Sequence, residues 1–401
     1  MRRPRVRRRV PGPLRALAQS GAFYLGTWRR FLRPSGGDMP AARPTPLFAG
    51  HVLLDELVLT GFRTVHRGDT DLAPHAMGEI TGAVEMFDDA GWLSAPSTFH
   101  ATPPPPTDAS IRRVRSLQHS YERLSFESGY EPHPDEPGRD RWLSYTGNRE
   151  AVAWLLRHDE PRPWLVCVHG AQMGRPTIDL TILRARWLHQ ELGLNVAMPV
   201  LPLHGPRRPG APRGTSFPGP DVLDNIHGAS QAVWDVRRLL AWIRTQDPQA
   251  PVGITGVSLG GYVSSLVAGL DPDLACAVLG VPIVDLVSLM EHHTPPDLKS
   301  RWQGALEPAR HISRVVSPLA TQPMVPLDRR FVYAGLADRI IHPHLQIMRL
   351  WEHWSRPEIH WYEGGHTLFF RSNSSARFLH AALAQSGLTD VPEDYKVAAG
   401  A

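Results

Sequence analysis

Short apolar segments alternate with amphipathic segments along most of the chain after residue 120. The segments between them, such as Ala229–Thr245, repeat apolar residues at helical spacing. Alternating helices and continuously apolar strands are typical of a mostly parallel sheet covered by helices on both faces. The sequence therefore predicts an α/β protein with a doubly wound sheet of about eight strands. The candidate strands are Tyr121–Glu127, Ala151–His158, Trp164–His169, Asn195–Pro199, Val252–Val257, Ala275–Val281, Phe331–Ala334 and Glu358–Tyr362.

The composition agrees with a folded protein. Of 401 residues, 42% are hydrophobic and 20% are charged, which is enough apolar material for a large core. No run of about 18 consecutive apolar residues is present, so no transmembrane helix is predicted. Cys167 and Cys276 both lie within apolar runs. We expect them to be buried thiols of a reduced, cytoplasmic protein, not part of a disulfide framework or a zinc site.

Positive charge is concentrated at the N-terminus. Residues 1–37 contain ten Arg and no acidic residue, although the whole chain has a net charge of only +4. The rest of the chain is therefore mildly acidic, which argues against a nucleic-acid partner. We expect residues 1–46, rich in Pro and Arg, to be a disordered leader that does not direct export. The alternative is a weak peripheral contact between this basic stretch and an anionic membrane.

The remaining chain divides at changes of pattern. Residues 47–109 contain two predicted helices, at 47–59 and 75–90, and a polyproline linker at 103–106. Residues 110–388 hold the strand–helix alternation, and 389–401 are expected to be a C-terminal tail. Within the alternation, residues 285–328 form a long interval between the sixth and seventh predicted strands. We expect this interval to be an inserted cap.

The most informative motif follows the predicted strand Val252–Val257. It reads Gly256-Val257-Ser258-Leu259-Gly260-Gly261, and a helix of small residues is predicted after it. A tight turn from strand to helix forces the Ser into a strained conformation with positive φ, and close backbone packing there requires Gly at 256 and 260. The turn exposes the hydroxyl at a helix N-terminus, which favours developing negative charge. Ser258 is therefore a candidate nucleophile.

Two polar residues follow later strands and could activate Ser258. Asp338 lies just after the predicted strand Phe331–Ala334, and His366 just after Glu358–Tyr362. The carboxyl ends of parallel strands share one edge of a sheet, so these side chains are expected near Ser258. A Ser hydroxyl needs a base, and the base needs an orienting acid. The HGAQ loop that begins at His169 could aim backbone N–H groups at an oxyanion.

The four segments HGAQMG, GVSLGG, GLAD and GGHT, in this order and each after a predicted strand, resemble the α/β-hydrolase superfamily. The resemblance covers roughly residues 110–388 and implies a serine hydrolase of the esterase and lipase type. It implies Ser258 as nucleophile, His366 as base and Asp338 as acid. It further implies an oxyanion hole formed by the N–H groups of Leu259 and Ala171, or Gln172 in place of Ala171. No cofactor or metal is expected.

Several alternatives stay open at this stage. Asp285 follows the sixth predicted strand and could replace Asp338 as the acid; otherwise it begins the first helix of the cap. A small-molecule or lipid acyl ester is the expected substrate. A thioesterase, an amidase and an acyltransferase would use the same residues. A binding module that has the fold without catalysis is the remaining alternative.

Overall fold

The structure, a computed structural model, describes residues 12–32, 37–65, 76–115, 120–294 and 296–390. Nine strands in this part of the chain form one sheet. All eight predicted strands are present, with ends that differ by a few residues. The strands are β1 (Ser110–Arg115), β2 (Ser120–Glu127), β3 (Glu150–Leu156), β4 (Trp164–Val168), β5 (Asn195–Pro199), β6 (Val252–Val257), β7 (Ala277–Gly280), β8 (Arg330–Gly335) and β9 (Glu358–Tyr362).

The sheet order is β1-β2-β3-β5-β4-β6-β7-β8-β9. Strand β1 pairs antiparallel with β2, β2 with β3, and β3 with β5. The remaining six strands are parallel, which brings the carboxyl ends of β4, β6, β8 and β9 to one edge. This arrangement confirms the predicted α/β-hydrolase fold with a mostly parallel sheet.

Helices cover both faces of the sheet, as the continuously apolar strands predicted. One cluster of buried residues packs the helices at 222–246 and 296–312 on one face of the sheet, and a second cluster covers the other face. The helices are α1 (Gly12–Leu32), α2 (Pro46–Val65), α3 (Ala76–Asp89), α4 (Arg139–Leu143), α5 (Pro176–Ile182), α6 (Val222–Gln246), α7 (Leu259–Ala268), α8 (Leu286–His293), α9 (Pro296–Ile312), α10 (Ile347–His353) and α11 (Asn373–Gln385).

Strand β1 was not predicted from the sequence. It is the edge strand of the sheet, and its residues SIRRVR are mostly exposed. A charged edge strand buries no apolar side and so leaves little hydrophobic pattern to detect. Its register with β2 is set by pairing from Ser110↔Ser125 to Arg115↔Ser120.

The amphipathic segment at 179–192, between the predicted strands Trp164–His169 and Asn195–Pro199, is not one continuous helix in the structure. Helix α5 ends at Ile182, and one turn of wider helix follows at Trp187–Glu191. Arg184 between them has φ +54° and donates hydrogen bonds to the carbonyl oxygen of Phe370. This contact occurs at the break in the helix. Because Phe370 is far from Arg184 in the sequence, the local pattern could not predict it.

The expectation of a disordered leader over 1–46 is wrong for residues 12–32. They form α1, which packs against α2 through the stacked rings of Phe23 and Phe48, 6.3 Å apart. Ala16 and Thr27 are buried on the same side of α1. Residues 1–11 and 33–36 of the leader, and residues 391–401 of the predicted tail, lie outside the described residues.

The inserted segment lies where the sequence predicted it. Helices α8 and α9 connect β7 to β8 and pack on the α6 side of the sheet, where α9 also contacts α3. The predicted helices of 47–109 are present as α2 and α3. Gly91, with φ +73°, follows the end of α3.

Candidate active site

Ser258 occupies the turn between β6 and α7 with φ +56° and ψ −117°. This confirms the strained conformation expected from the sequence. A Cβ on Gly256 would lie 2.2 Å from the carbonyl oxygen of Gly260, and a Cβ on Gly260 would lie 2.0 Å from that of Val168. Both positions therefore exclude side chains. The tight turn holds Ser258, which is 8% exposed, at the N-terminus of α7.

The structure brings Ser258, His366 and Asp338 into one hydrogen-bonded chain. The Oγ of Ser258 lies 3.1 Å from Nε2 of His366, and Nδ1 of His366 lies 2.8 Å from Oδ2 of Asp338. The other carboxylate oxygen, Oδ1, accepts the backbone N–H groups of Ile340 and Ile341 at 2.9 and 2.7 Å. These bonds orient the carboxylate, which accepts a hydrogen bond from Nδ1–H of His366. The unprotonated Nε2 then faces the hydroxyl of Ser258.

The electrostatic surroundings of His366 favour its charged form. Burial by itself lowers the pKa of this imidazole, but the charge and hydrogen bond of Asp338 outweigh burial, and Asp55 adds to them. The pKa of His366 is raised as a result. A raised pKa makes the imidazole a stronger base. A stronger base beside a hydroxyl is suited to accept the hydroxyl proton during nucleophilic attack.

Asp285, the alternative acid, lies elsewhere in the hydrogen-bond network. Its Oδ1 caps α8 by accepting the N–H of Ser288 at 2.9 Å, and its Oδ2 pairs with Arg349 at 2.9 Å. The carboxylate that contacts His366 is that of Asp338. Asp285 thus begins the first helix of the cap, which was the alternative to its being the acid.

The loop after β4 lies directly against the turn at Ser258. A Cβ on Gly170 would lie 3.5 Å from the Cβ of Ser258. Within the described part of the chain, the N–H groups of Leu259, Ala171 and Gln172 donate no hydrogen bond. Free N–H groups beside a nucleophile are available to an oxyanion. Gln172 has φ +64°, so the backbone changes direction at this residue.

His169 organises this loop. It is fully buried, donates from Nδ1 to the carbonyl oxygen of Gly170 at 2.7 Å and accepts the N–H of Leu201 at Nε2. Burial lowers its pKa to about 4, so the ring is neutral at ordinary pH. His169 therefore links two loops and is poorly placed to carry protons for Ser258.

Asp55 is a residue of the site that the sequence analysis missed. It lies on α2, is 1% exposed and reaches both loops that carry His366 and Asp338. Its Oδ2 accepts the backbone N–H of His366 at 2.8 Å and of Arg339 at 3.1 Å. Its Oδ1 accepts both the backbone N–H and the hydroxyl of Thr367, at 3.0 and 2.8 Å. One carboxylate thus binds four donors from two loops.

The neighbouring contacts strengthen this connection between α2 and the site. Glu56 pairs with Arg339 at 2.9 Å, and both oxygens of Asp55 come within 3.0 Å of the Cβ position of Gly365. The signal for Asp55 in the sequence is an acidic pair, Asp55-Glu56, in the middle of the apolar run VLLDELVL. Buried acids are rare unless they are paired, so such a pair indicates specific partners.

A cavity of about 480 Å³ lies between the cap and the body of the protein. It is lined by α8, α9 and parts of α6 and α7, and it includes Asp285, Arg310 and Arg349 next to Leu286, Met290 and Leu306. Ser258 and His366 are not among its lining residues. Ile283, two residues before the cap, donates its N–H to the carbonyl oxygen of Ser258 at 3.1 Å, so the two regions are adjacent.

No group of three or more His, Cys, Asp or Glu side chains among the described residues is arranged to hold a metal ion. Both cysteines are buried and unpaired with each other. Burial raises the pKa of Cys276 to about 12, so this thiol is unreactive at neutral pH.

Known proteins resemble the chain over part or nearly all of its length. The profile of the prolyl oligopeptidase family matches residues 233–352, a segment that contains Ser258 and Asp338. Two proteins of Mycobacterium tuberculosis, the uncharacterized proteins MT2702 and Rv2627c, are each 49% identical over 388 residues, which is 96% of this chain and 93% of theirs.

Among solved structures, an acetyl xylan esterase from Paenibacillus sp. R4 aligns with a TM-score of 0.48 and 17% identity, over 75% of this chain and 94% of the esterase. The sheet order and the family match support a serine hydrolase of the α/β fold. The chain belongs to the same family as the two Mycobacterium tuberculosis proteins, within the α/β-hydrolase superfamily.

Proposed function

We propose that the protein hydrolyses a carboxylic ester through an acyl-enzyme intermediate on Ser258. The observation that carries the proposal is the hydrogen-bonded chain from Ser258 through His366 to Asp338, which ends at a Ser held with positive φ. The turn aims Oγ away from the strand, and the imidazole lies within proton-transfer distance of it. Three residues from three separate loops meet here. Folding does not require this arrangement, whereas nucleophilic catalysis does.

The first half of the reaction forms the acyl-enzyme. His366 takes the proton of Ser258 at Nε2 while Oγ attacks the carbonyl carbon of the ester. The N–H groups of Leu259 and Ala171, or Gln172 in place of Ala171, stabilise the resulting oxyanion. Asp338 stabilises the imidazolium. The tetrahedral intermediate then collapses, and the alcohol leaves with the proton that His366 returns to it.

The second half releases the acid. His366 removes a proton from water, and the resulting hydroxide attacks the carbonyl carbon of the acyl group on Ser258. A second oxyanion uses the same N–H groups. When this intermediate collapses, Ser258 regains its proton from His366 and the carboxylic acid departs. Every step uses groups of this chain and water, so the proposed reaction needs no cofactor.

An amide or peptide is the second candidate substrate. The observation that favours it is the match to the prolyl oligopeptidase family over residues 233–352. The chemistry is the same up to the leaving group, which is an amine in place of an alcohol and depends more strongly on protonation by His366. Thioesters and acyl acceptors other than water would also use Ser258.

The test begins with labelling of the full chain by a fluorophosphonate, followed by mass spectrometry of the labelled peptide. We expect a single adduct on Ser258, absent from Ser258→Ala. Ser264→Ala is the matched control because Ser264 lies on the same helix, is buried and has no hydrogen-bond partner at its hydroxyl among the described residues. That variant should label normally. Labelling of Ser258→Ala, or no labelling of the natural sequence, would refute the proposal.

Substrate class is then measured with paired acyl esters and anilides of equal acyl length. Faster turnover of the esters across the series supports an esterase. Faster turnover of the anilides would replace this proposal by an amidase or peptidase, with Ser258 still the nucleophile. Increasing the acyl length within the ester series then defines the preferred acyl group.

A further inference from the structure

Helix α1 presents apolar side chains outward. Leu14, Ala18, Gly21, Leu25, Trp28 and Leu32 follow one another at alternating intervals of four and three residues, so they lie along one face of the helix. Every one of them is exposed; Leu25 is 62% and Leu32 is 69% exposed. Leu17 and Phe31 flank this face and are also exposed. We call these eight residues the outer stripe.

The opposite face of α1 already has a partner. Ala16 and Thr27 are buried, and Phe23 stacks on Phe48 of α2. The inward side therefore carries small or polar residues as well as Phe23, and the large aliphatic residues point away from the protein. This is the reverse of the pattern for a helix that only packs on its own domain. A continuous exposed apolar face of this kind marks an interaction surface.

The charge of the same segment identifies the chemistry of the partner. Residues 1–37 contain ten Arg and no acidic residue. Arg29 and Arg30 are exposed on the last turn of α1. Arg29 directly follows Trp28, and the guanidinium of Arg30 lies 5.6 Å from the centre of the Phe23 ring. Apolar residues with Trp on one face and Arg beside them are typical of helices that lie at an anionic lipid surface. A second copy of α1 on the outer stripe would bring two sets of like charges together, which is unfavourable.

We propose that α1 docks on an anionic lipid surface, with the outer stripe at the boundary between headgroups and acyl chains and the Arg residues on the headgroups. No helix among the described residues is long and apolar enough to cross a membrane. An amphipathic helix with Trp and Arg binds with its axis along the surface. Docking of this kind is independent of whether Ser258 acts as a nucleophile.

The position of α1 relates the docked surface to the candidate active site. The guanidinium of Arg339 lies 4.3 Å from the centre of the Phe23 ring, and Arg339 follows Asp338 directly in sequence. Helix α1 thus separates the outer stripe from the loop of Asp338 by about one helix diameter, roughly 10 Å. A lipid surface that binds the stripe would lie close to the site.

The experiment is co-sedimentation of the full chain with vesicles of phosphatidylcholine alone and with added phosphatidylglycerol. We expect binding to the anionic vesicles, weaker binding to phosphatidylcholine, and loss of binding as the salt concentration rises. The double substitution Leu25→Ser with Trp28→Ser should lower the partition coefficient by about tenfold or more, since apolar burial contributes much of the affinity.

A matched control replaces exposed apolar residues far from α1 in sequence. Met324→Ser with Leu327→Ser removes two side chains that are 50% and 46% exposed, and it should bind vesicles like the natural sequence. Circular dichroism of both double variants establishes that they are folded. The variant Ser258→Ala should also bind normally, which separates this proposal from the proposed hydrolase activity.

Three results would overturn the proposal. The first is equal sedimentation with both vesicle types at all salt concentrations. The second is unchanged binding of the variant at Leu25 and Trp28. The third is a dimer, seen by light scattering without vesicles, that this variant dissociates, because a second copy would then cover the outer stripe.

Discussion

The carboxylate of Asp55 accepts the backbone N–H of His366 at 2.8 Å. The two residues are 311 positions apart, and Asp55 belongs to a helix outside the strand–helix alternation. The same carboxylate also accepts the N–H of Arg339, next to Asp338. Helix α2 is therefore part of the site, because its Asp55 binds both the loop of the proposed base and the loop of the proposed acid.

Asp55 is expected to act as a positioning residue. Asp55→Asn keeps the size of the side chain but replaces one acceptor oxygen by an NH₂ group, which faces donors and cannot accept from them. We expect kcat for a soluble ester to fall by about ten- to a hundredfold because the His366 loop shifts. KM should change little. The measurement is steady-state kinetics with one ester over a range of pH.

The pH profile distinguishes this role from a general loss of stability. The charge of Asp55 contributes to the raised pKa of His366, so the acid limb of kcat/KM should move to lower pH in Asp55→Asn. Glu56→Gln is the control. It removes a buried charge one residue away, and Glu56 pairs with the side chain of Arg339, in the loop of Asp338. An acid limb that stays in place in Asp55→Asn would contradict the positioning role.

For the natural sequence, we expect kcat/KM to fall on the acid side through a pKa above the ordinary value of 6.5 for His. The base must be neutral to accept the proton of Ser258, and the charge and hydrogen bond of Asp338 outweigh burial to raise its pKa. Activity is then complete above this pKa and lost below it. A profile whose acid limb lies well below pH 6.5 would contradict the assignment of His366 as the base.

Asp338→Asn should lower kcat by about three to four powers of ten with little change in folding, because Asn cannot stabilise the imidazolium or hold its tautomer. Asp285→Asn is the matched control because it tests the alternative acid. Asn still caps α8 through its Oδ1, so this variant loses only the charge that pairs with the partly exposed Arg349. It should cost about 1 kcal/mol of stability or less and leave the chemistry intact. A mild effect at 338 with a severe effect at 285 would reverse the assignment.

Glu136 gives a prediction about stability far from the Ser258 site. Its side chain is buried with His227, whose Nδ1 lies 3.5 Å from Oε1 of Glu136. Burial raises the pKa of Glu136 from 4.5 to about 8, against the opposing effect of the His133 N–H. The folded protein therefore holds an extra proton between these pH values, and this carboxyl makes unfolding easier as pH rises through that range.

Glu136→Gln removes the titration and keeps the shape of the side chain. Its stability relative to the natural sequence should increase by about 3–4 kcal/mol from about pH 5 to pH 8, measured by denaturant unfolding. Glu131→Gln, at a side chain that is 68% exposed and paired with Arg139, should show little change across the same range. Equal stability differences of Glu136→Gln at both pH values would contradict the raised pKa.

The amino-acid sequence alone was sufficient to predict the sheet, the turn at Ser258 and the loops of Asp338 and His366. These features depend on local patterns. Apolar runs make buried strands, Gly256 and Gly260 allow a turn that other residues would block, and a polar residue after a parallel strand must lie at one known edge. The choice between Asp338 and Asp285 as partner of His366 remained open because both follow strands.

Only the tertiary structure decided which residues meet across long distances in the chain. It paired His366 with Asp338, brought Asp55 from α2 to both loops, and ordered α1 by packing Phe23 on Phe48. The sequence pattern of α1 and that of the exposed strand β1 are weak because neither buries a regular apolar face in its own segment. Contacts of this kind depend on how surfaces that are distant in the sequence fit together. Local hydrophobic periodicity predicts helices and strands, and it does not predict these contacts.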